Sequence, residues 1–324
     1  MKLGPVLGIG NALTDMLVEV QDEQLEQFSL PKGSMQLVDA NRARQLQQEL
    51  QDRMAQRCAG GCAANTISGL GELGIKTAFI GKVGRDPIGD FFKKDLQSHG
   101  VDFRLLQSNT LSGTALTLVT PDGERTFATH LGAAVELTDS ELTDEMFSGA
   151  DVFHIEGYLV QNHDLIEGAV KKAKAAGMTV SIDLAAYNVV EENLKFLHGL
   201  MQYGLDIVFA NEEEARAFTG AKDEQRALEI LSDQCQVVVV KLGKKGAMLA
   251  KGLQRCTIEV EPIKPIDTTG AGDLFATGFL YGLLTNHDLE TCGKFGAMVA
   301  KEIIQVMGTK LPQSTWDRIR SEIQ

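Results

Sequence analysis

Asp267-Thr268-Thr269-Gly270-Ala271-Gly272-Asp273 runs without a break into residues 274–284, LFATGFLYGLL, a segment apolar on most faces. Such a segment reads as a buried helix. Glycines just ahead of a helix let backbone N–H groups converge on an anion, and the helix dipole adds partial positive charge there. Gly270, Ala271 and Gly272 are therefore a candidate anion hole. A carboxylate beside bound phosphate repels it unless it has a chemical task. Asp273 can accept the proton of an attacking hydroxyl while the neighbouring amides hold the charge that develops on a phosphoryl group. An N-cap aspartate beside a glycine turn is the competing reading of the same residues. The strings G-x-x-x-x-G-K-[ST], H-R-D and D-F-G do not occur in the chain, so neither a P-loop nor a protein-kinase fold is expected.

Upstream of this stretch, short β-branched runs at 78–83, 152–155, 179–184, 206–210 and 237–241 alternate with amphipathic segments at 41–54, 165–176, 190–203, 212–218 and 224–232. In the first of these segments Leu46, Leu50 and Met54 recur at spacing four. The alternation is that of βα units wound on both faces of a mainly parallel sheet. Two stretches break the rhythm, 13–38 and 111–131, where alternating residues and the turn signal Pro121-Asp122-Gly123 predict antiparallel strands. They are expected to form a small sheet beside the main one. No 20–50-residue repeat, low-complexity segment or linker interrupts the chain, so one α/β domain over 1–324 is expected.

A hydrophobic fraction of 44% and 23% charged residues in 324 suit a globular fold. The formal charge of −13 disfavours nucleic acid as a partner, so an anionic ligand must be held by local amides, a metal ion or single basic residues. The opening MKLGPVLGIGNALTDML has no signal-peptide core and no later run approaches a membrane span, which makes a cytoplasmic protein the expectation. Five cysteines without a C-x-x-C pair read as reduced thiols, and the histidines show no zinc spacing.

The DTTGAGD stretch resembles the second signature of the PfkB, or ribokinase-like, carbohydrate kinase family. Gly60-Gly61-Cys62-Ala63-Ala64-Asn65, continuing to Gly81-Lys82-Val83-Gly84-Arg85-Asp86-Pro87-Ile88-Gly89, resembles the first, and Asn211-Glu212-Glu213-Glu214 matches the family's N-x-x-E motif. Gly8-Ile9-Gly10-Asn11-Ala12-Leu13-Thr14-Asp15 and the stretch from Gly123 to Ala134 resemble the adenosine kinase branch. The resemblance implies a ribokinase-like doubly wound sheet with a β-sheet lid, ATP and Mg²⁺ as co-substrate and metal, and Asp273 as base over the Gly270–Gly272 hole. On the ATP and Mg–phosphate side it implies Asn211, Glu214, Thr268 and Gly243. Asp267 and Thr269 match positions whose backbone groups hold a monovalent cation, K⁺, in some members. Members occur as monomers and as homodimers.

For the acceptor, Asp15 offers two oxygens to the hydroxyls of a vicinal diol, with Asn11 beside it; Gly60 and Gly61 let the backbone approach a sugar, and Asn65 both donates and accepts. Read without the resemblance, the glycines are a turn before a helix and Asn65 a satisfied first-turn residue. Arg125 is placed by resemblance where it steadies the phosphoryl group or holds the lid closed, against a solvated hairpin arginine. Tyr158 aligns with an aromatic that packs on the base in adenosine kinases, and Phe127, Met35 and Leu37 are weaker candidates; core or lid packing is the alternative for each. The activity implied is phosphorylation of a nucleoside 5′-hydroxyl, adenosine first; a free-sugar kinase for ribose or fructose and a non-catalytic nucleoside- or sugar-binding regulator are the alternatives. A dehydrogenase reading of Gly69-Leu70-Gly71-Glu72-Leu73-Gly74 fails because the triplet falls late in an expected helix, not in a strand-to-helix turn.

Overall fold

The structure, a computed structural model, describes residues 4–323. Its main sheet contains β1 (Val6–Ile9), β5 (Thr77–Gly84), β6 (Val101–Ser108), β9 (Val152–Glu156), β10 (Thr179–Asp183), β11 (Ile207–Asn211), β12 (Val237–Lys241), β13 (Ala247–Lys251) and β14 (Gln254–Ile258). Their order is β14-β13-β12-β11-β10-β9-β1-β5-β6. The strands from β12 to β6 are parallel, and β13 runs antiparallel to both neighbours. Strands covered by helices on both faces must be apolar throughout, as VVVVK in β12 and IVFAN in β11 show. Successive side chains divide between two buried layers: Val6 and Phe209 enter one, Leu7 and Val208 the other.

The lid is a second sheet of β2 (Leu13–Glu19), β3 (Met35–Leu37), β4 (Met54–Gly60), β7 (Gly113–Val119) and β8 (Arg125–His130), ordered β3-β8-β7-β2-β4. One of its faces has a core of its own, in which Met16, Val18, Leu116 and Leu118 pack with Leu25 and Phe28 and with Leu46 and Leu50 of the helix Ala40–Leu50. The expected lid stretches supply four of these strands. Two details differ from expectation. The sheet is mixed, because β2 pairs parallel with β7 and β3 parallel with β8; these partners come from distant parts of the chain, and only adjacent strands joined by a short turn must be antiparallel. The fifth strand, β4, begins at Met54, which the spacing had placed at the end of a helix, and its sequence MAQRCAG lacks the β-branched signal.

The segment expected as one helix at 190–203 is two, Tyr187–Glu192 and Leu194–Tyr203. Asn193 breaks it: its Nδ2 donates to Val189 O at 2.9 Å and its Oδ1 lies 2.8 Å from His163 Nε2, so the side chain competes for the backbone. The glycine triplet at 69–74 lies at the end of the helix Cys62–Glu72, as expected. Among the described residues no helix is long and apolar enough to cross a membrane.

The helix Ala271–Leu284 is held from behind by the helix Leu289–Ile303. A Cβ at Gly278 would collide with the Phe295 carbonyl oxygen, and one at Gly282 would lie 2.9 Å from Cys292 Cα. Gly278→Ala is expected to lower stability by about 1–3 kcal/mol, as overpacking does. Gly199→Ala, in the helix Leu194–Tyr203 with no atom near its new Cβ, is expected to raise it by about 0.5–1 kcal/mol. Urea unfolding followed by circular dichroism separates the two.

Candidate active site

Parallel α/β sheets bind ligands outside the carboxyl ends of their strands. Here four neighbouring strands close on a polar residue after an apolar run: Glu156 ends β9, Asp183 ends β10, Asn211 ends β11 and Lys241 ends β12. All four line a cleft of about 1280 Å³, larger than the roughly 300–1,000 Å³ of a single small-ligand pocket. The lid contributes Leu13, Asp15, Met35, Leu37, Ala115, Phe127, Thr129 and Leu131 to its wall.

Asp273 stands in the first turn of the helix Ala271–Leu284, after Gly270, whose φ of +75° lies in the left-handed region. The first amides of this helix have no acceptor within it. That of Ala271 closes a turn on Thr268 O at 3.2 Å, which leaves Gly270 and Gly272 as the stronger anion donors of the expected three. Asn65, one turn into the helix Cys62–Glu72, donates from Nδ2 to Asp273 Oδ2 at 2.9 Å. Thr66 Oγ1 donates to Asp273 O at 3.1 Å, and Thr277 Oγ1 shares its proton between Asp273 O and Thr66 O. Burial pushes the Asp273 carboxyl up to about 6, against the pull of Asn65 and Lys241.

At the other end of the cleft, a Cβ on Gly60 would run into the Asp15 carboxylate, so only glycine lets β4 pass there. Asp15 is raised to about 7 by burial, with Asp273 adding to the rise and Lys310 opposing it. Asn11 Nδ2 donates to Glu156 Oε1 at 2.8 Å, and Ala63 N donates to Glu156 Oε2 at 3.2 Å. Burial lifts Glu156 to about 7 in spite of these bonds. The Oδ1 atoms of Asn11 and Asn65 are buried and accept no hydrogen bond within the protein. Two orphaned acceptors lining one cleft suit the hydroxyl or amino hydrogens of a ligand.

The remaining expected residues divide. Gly61, Tyr158, Gly243 and Thr268 line the cleft. Tyr158, Met35 and Leu37 are 38%, 62% and 65% exposed, which removes core packing as their explanation. Asn211 and Glu214 also line it, and they form a reciprocal capping box: Glu214 N donates to Asn211 Oδ1 and Asn211 N to Glu214 Oε2, both at 2.8 Å. Burial, then Asp183, raises Glu214 to about 7.

Arg125 is not among the cleft-lining residues. Its guanidinium pairs with the Asp267 carboxylate and with Thr269 Oγ1, tying the start of β8 to the loop before the anion hole. Asp267 also accepts from Thr269 N at 2.8 Å and from Gly308 N at 2.6 Å. Both side-chain oxygens are thus engaged, which leaves backbone carbonyls alone for the cation that the resemblance implies at Asp267 and Thr269.

Sequence reasoning passed over Glu156, Asp183 and Lys241, although each carries a readable signal as the charged residue that closes a buried strand. Lys241 Nζ donates to Asp183 Oδ2 at 2.7 Å, and a Cβ on Gly272 would sit 3.0 Å from Nζ. Burial pulls this ammonium down, but Asp183, Glu214 and Asp273 outweigh it and hold its pKa above the ordinary lysine value. The wall formed by Val260, Pro262, Ile263, Ala297, Ala300 and Ile304 also escaped notice, since nothing in its sequence marks it.

Comparison with known proteins identifies the family and the fold. The model for the pfkB family carbohydrate kinase matches residues 34–316. An uncharacterized sugar kinase of Archaeoglobus fulgidus is 31% identical over 250 residues, 76% of this chain and 99% of that one. Adenosine kinase of Saccharomyces cerevisiae is 29% identical over 332 residues, 95% of this chain and 97% of that one. The crystal structure of adenosine kinase from Sinorhizobium meliloti superposes with a TM-score of 0.85 at 35% identity, covering 98% of this chain and 99% of that one. A probable sugar kinase from Rhizobium etli does so with a TM-score of 0.87 at 33% identity over 100% of both chains.

Glu156 has a measurable signature in stability. Its carboxyl holds a proton in the folded state up to about pH 7 that the unfolded chain releases near 4.5, so between those values its contribution to stability falls as pH rises. Glutamine does not titrate. Glu156→Gln is expected to shrink the loss of unfolding free energy between pH 5 and pH 8 by about 2 kcal/mol, at 1.4 kcal/mol per unit shifted. Urea midpoints at the two pH values measure it.

Proposed function

The chain belongs to the pfkB family of carbohydrate kinases, and from that premise we propose that it transfers the γ-phosphoryl group of ATP to the 5′-hydroxyl of a nucleoside, adenosine first. One observation carries the choice of a nucleoside. The lid turns Met35, Leu37 and Phe127 into the same cleft as Tyr158, and Met35 and Leu37 are more than half exposed. An apolar wall of this kind is covered by a flat, weakly polar group such as a nucleobase. The adenosine kinase relatives from yeast and Sinorhizobium support the same reading.

In this scheme the ribose lies with its 2′,3′-diol on Asp15 and Asn65, with Asn11 beside it. Asn65 holds the Asp273 carboxylate through Nδ2 and offers its free Oδ1 to substrate. Asp273 takes the 5′-hydroxyl proton as that oxygen attacks phosphorus in line with the departing diphosphate. The amides of Gly270 and Gly272 hold the charge that develops on the phosphoryl oxygens. Lid closure excludes the water that would otherwise intercept the phosphoryl group.

Mg²⁺ suits this end of the cleft, where Asp183 and Glu214 supply negative charge; both Glu214 oxygens accept from Asn211 and Asp183 Oδ2 accepts from Lys241, so Asn211 and Glu214 would organise the ion through water, and bound with the nucleotide it would neutralise phosphate charge. A free sugar is the second reading, favoured by Glu156, a second buried carboxylate able to accept sugar hydroxyls, and by the sugar kinase relatives. The catalytic residues serve both acceptors.

Purified protein with Mg·ATP and a panel of adenosine, inosine, guanosine, cytidine, ribose and fructose, followed by ADP release, tests the proposal. Turnover confined to free sugars removes the nucleoside reading, and no turnover with intact ATP binding points to the regulator. With the accepted substrate, kcat/KM, which reports the free enzyme, is expected to rise through an acid limb centred near pH 6, the value for Asp273. Asn65→Ala, which removes a bond to the charged form, moves that limb upward. Asp273→Asn lowers kcat by at least about 100-fold with little change in substrate Kd; near-normal turnover would sink the assignment of the base.

A further inference from the structure

Lys241 has no part in the scheme above, yet its ammonium stands beside the anion hole. Its side chain is 15% exposed and extends from the end of β12, a strand whose four preceding residues are buried. An ammonium has three N–H donors. In the structure one of them reaches Asp183 Oδ2, and Gly272 is the neighbour on another side, close enough that a side chain at 272 would touch Nζ. Asp183, Glu214 and Asp273 make this end of the cleft acidic, in a chain of net charge −13. A triphosphate entering here meets repulsion that backbone amides alone oppose weakly. The other lysines of the cleft wall, Lys244 and Lys301, have no such contact with the anion-hole glycines.

We propose that Lys241 is a catalytic residue that grips the transferring phosphoryl group from the Gly272 side of the anion hole while Asp183 fixes its ammonium in place. The inference rests on the kinase reading. In the step, the acceptor oxygen forms its bond to phosphorus as the bond from phosphorus to the nucleoside diphosphate breaks, and the acceptor proton goes to Asp273. Lys241 keeps its own protons throughout and contributes charge and hydrogen bonds alone, so arginine at this place would retain a part of the effect.

The test is calorimetric titration of the full chain with ADP and with the β,γ-imido analogue of ATP, in Mg²⁺ and without acceptor, for the parent and Lys241→Met. The expected result is a loss of about tenfold or more in affinity for the triphosphate analogue with ADP affinity within about twofold, and a fall in kcat of about 10²–10³-fold at unchanged acceptor KM. Lys241→Met leaves Asp183 without its partner and so strains the fold. The double variant Asp183→Asn with Lys241→Met removes the buried pair together, and it is expected to melt near the parent and to stay as slow as the single variant. Triphosphate affinity and kcat within about threefold of the parent in either variant overturn the role of Lys241 and leave the kinase reading intact. A parent protein that binds neither nucleotide overturns both.

Discussion

The interlock between the helices Cys62–Glu72 and Ala271–Leu284 is the constraint on which the site depends. Thr66 and Thr277 exchange hydroxyl bonds with each other's helix at the Asp273 and Thr66 carbonyls, and Asn65 reaches from the first helix to the Asp273 carboxylate on the second. A Cβ on Gly69 would come within 2.7 Å of Thr277, so the two backbones approach as closely as glycine permits. Both helices therefore present their N-termini to one cleft at fixed separation. One faces the Asp15 and Glu156 end and the other carries the Gly270–Gly272 amides, so in the proposed reaction acceptor and phosphoryl donor meet where the two dipoles converge.

That arrangement collects acid where burial disfavours it. Asp15, Glu156, Glu214 and Asp273 all hold protons well above their ordinary range, chiefly through desolvation, opposed by Lys310 at Asp15 and by Lys241 at Glu214 and Asp273. Such a cluster lowers the stability of the protein at neutral pH. In the proposed reaction it is the cost of a site that holds hydroxyls and a phosphate-bound cation. Away from the cleft some buried charge is matched directly, as in Arg125 with Asp267, or Lys82 with Glu141 at 2.7 Å.

Five of the nine main-sheet strands were legible because parallel strands buried on both faces advertise themselves as unbroken apolar runs; β12 falls at the residues read from the sequence and β5, β9, β10 and β11 within a residue at each end. The lid was legible in outline only. Its strand β4 carries Arg57 and Gln56 where a strand signal needs β-branched residues, and its pairing pattern depends on which distant segments lie side by side. Among the cleft-lining residues, those in contiguous motifs were named from the sequence: Gly270, Gly272 and Asp273, Asn65, and Asn211 with Glu214. Those standing alone at strand ends, Glu156, Asp183 and Lys241, were not. Arg125 was named as a residue that steadies the phosphoryl group or holds the lid, but its partner Asp267 was not, because it is more than a hundred residues away and local sequence holds no record of it.

By itself the sequence determined that a glycine-led helix would carry a carboxylate in its first turn, that βα units would build the sheet behind it, and that the chain would follow the pfkB pattern. Those properties are local, set by periodicity, glycine and the spacing of a few residues. Tertiary structure alone decided which carboxylates would be desolvated together, that Lys241 would point at Gly272, and that Arg125 would tie the lid to the Asp267 loop. Burial and charge proximity are sums over neighbours brought in from every part of the chain, and a pKa or an ion pair exists only once those neighbours are in place.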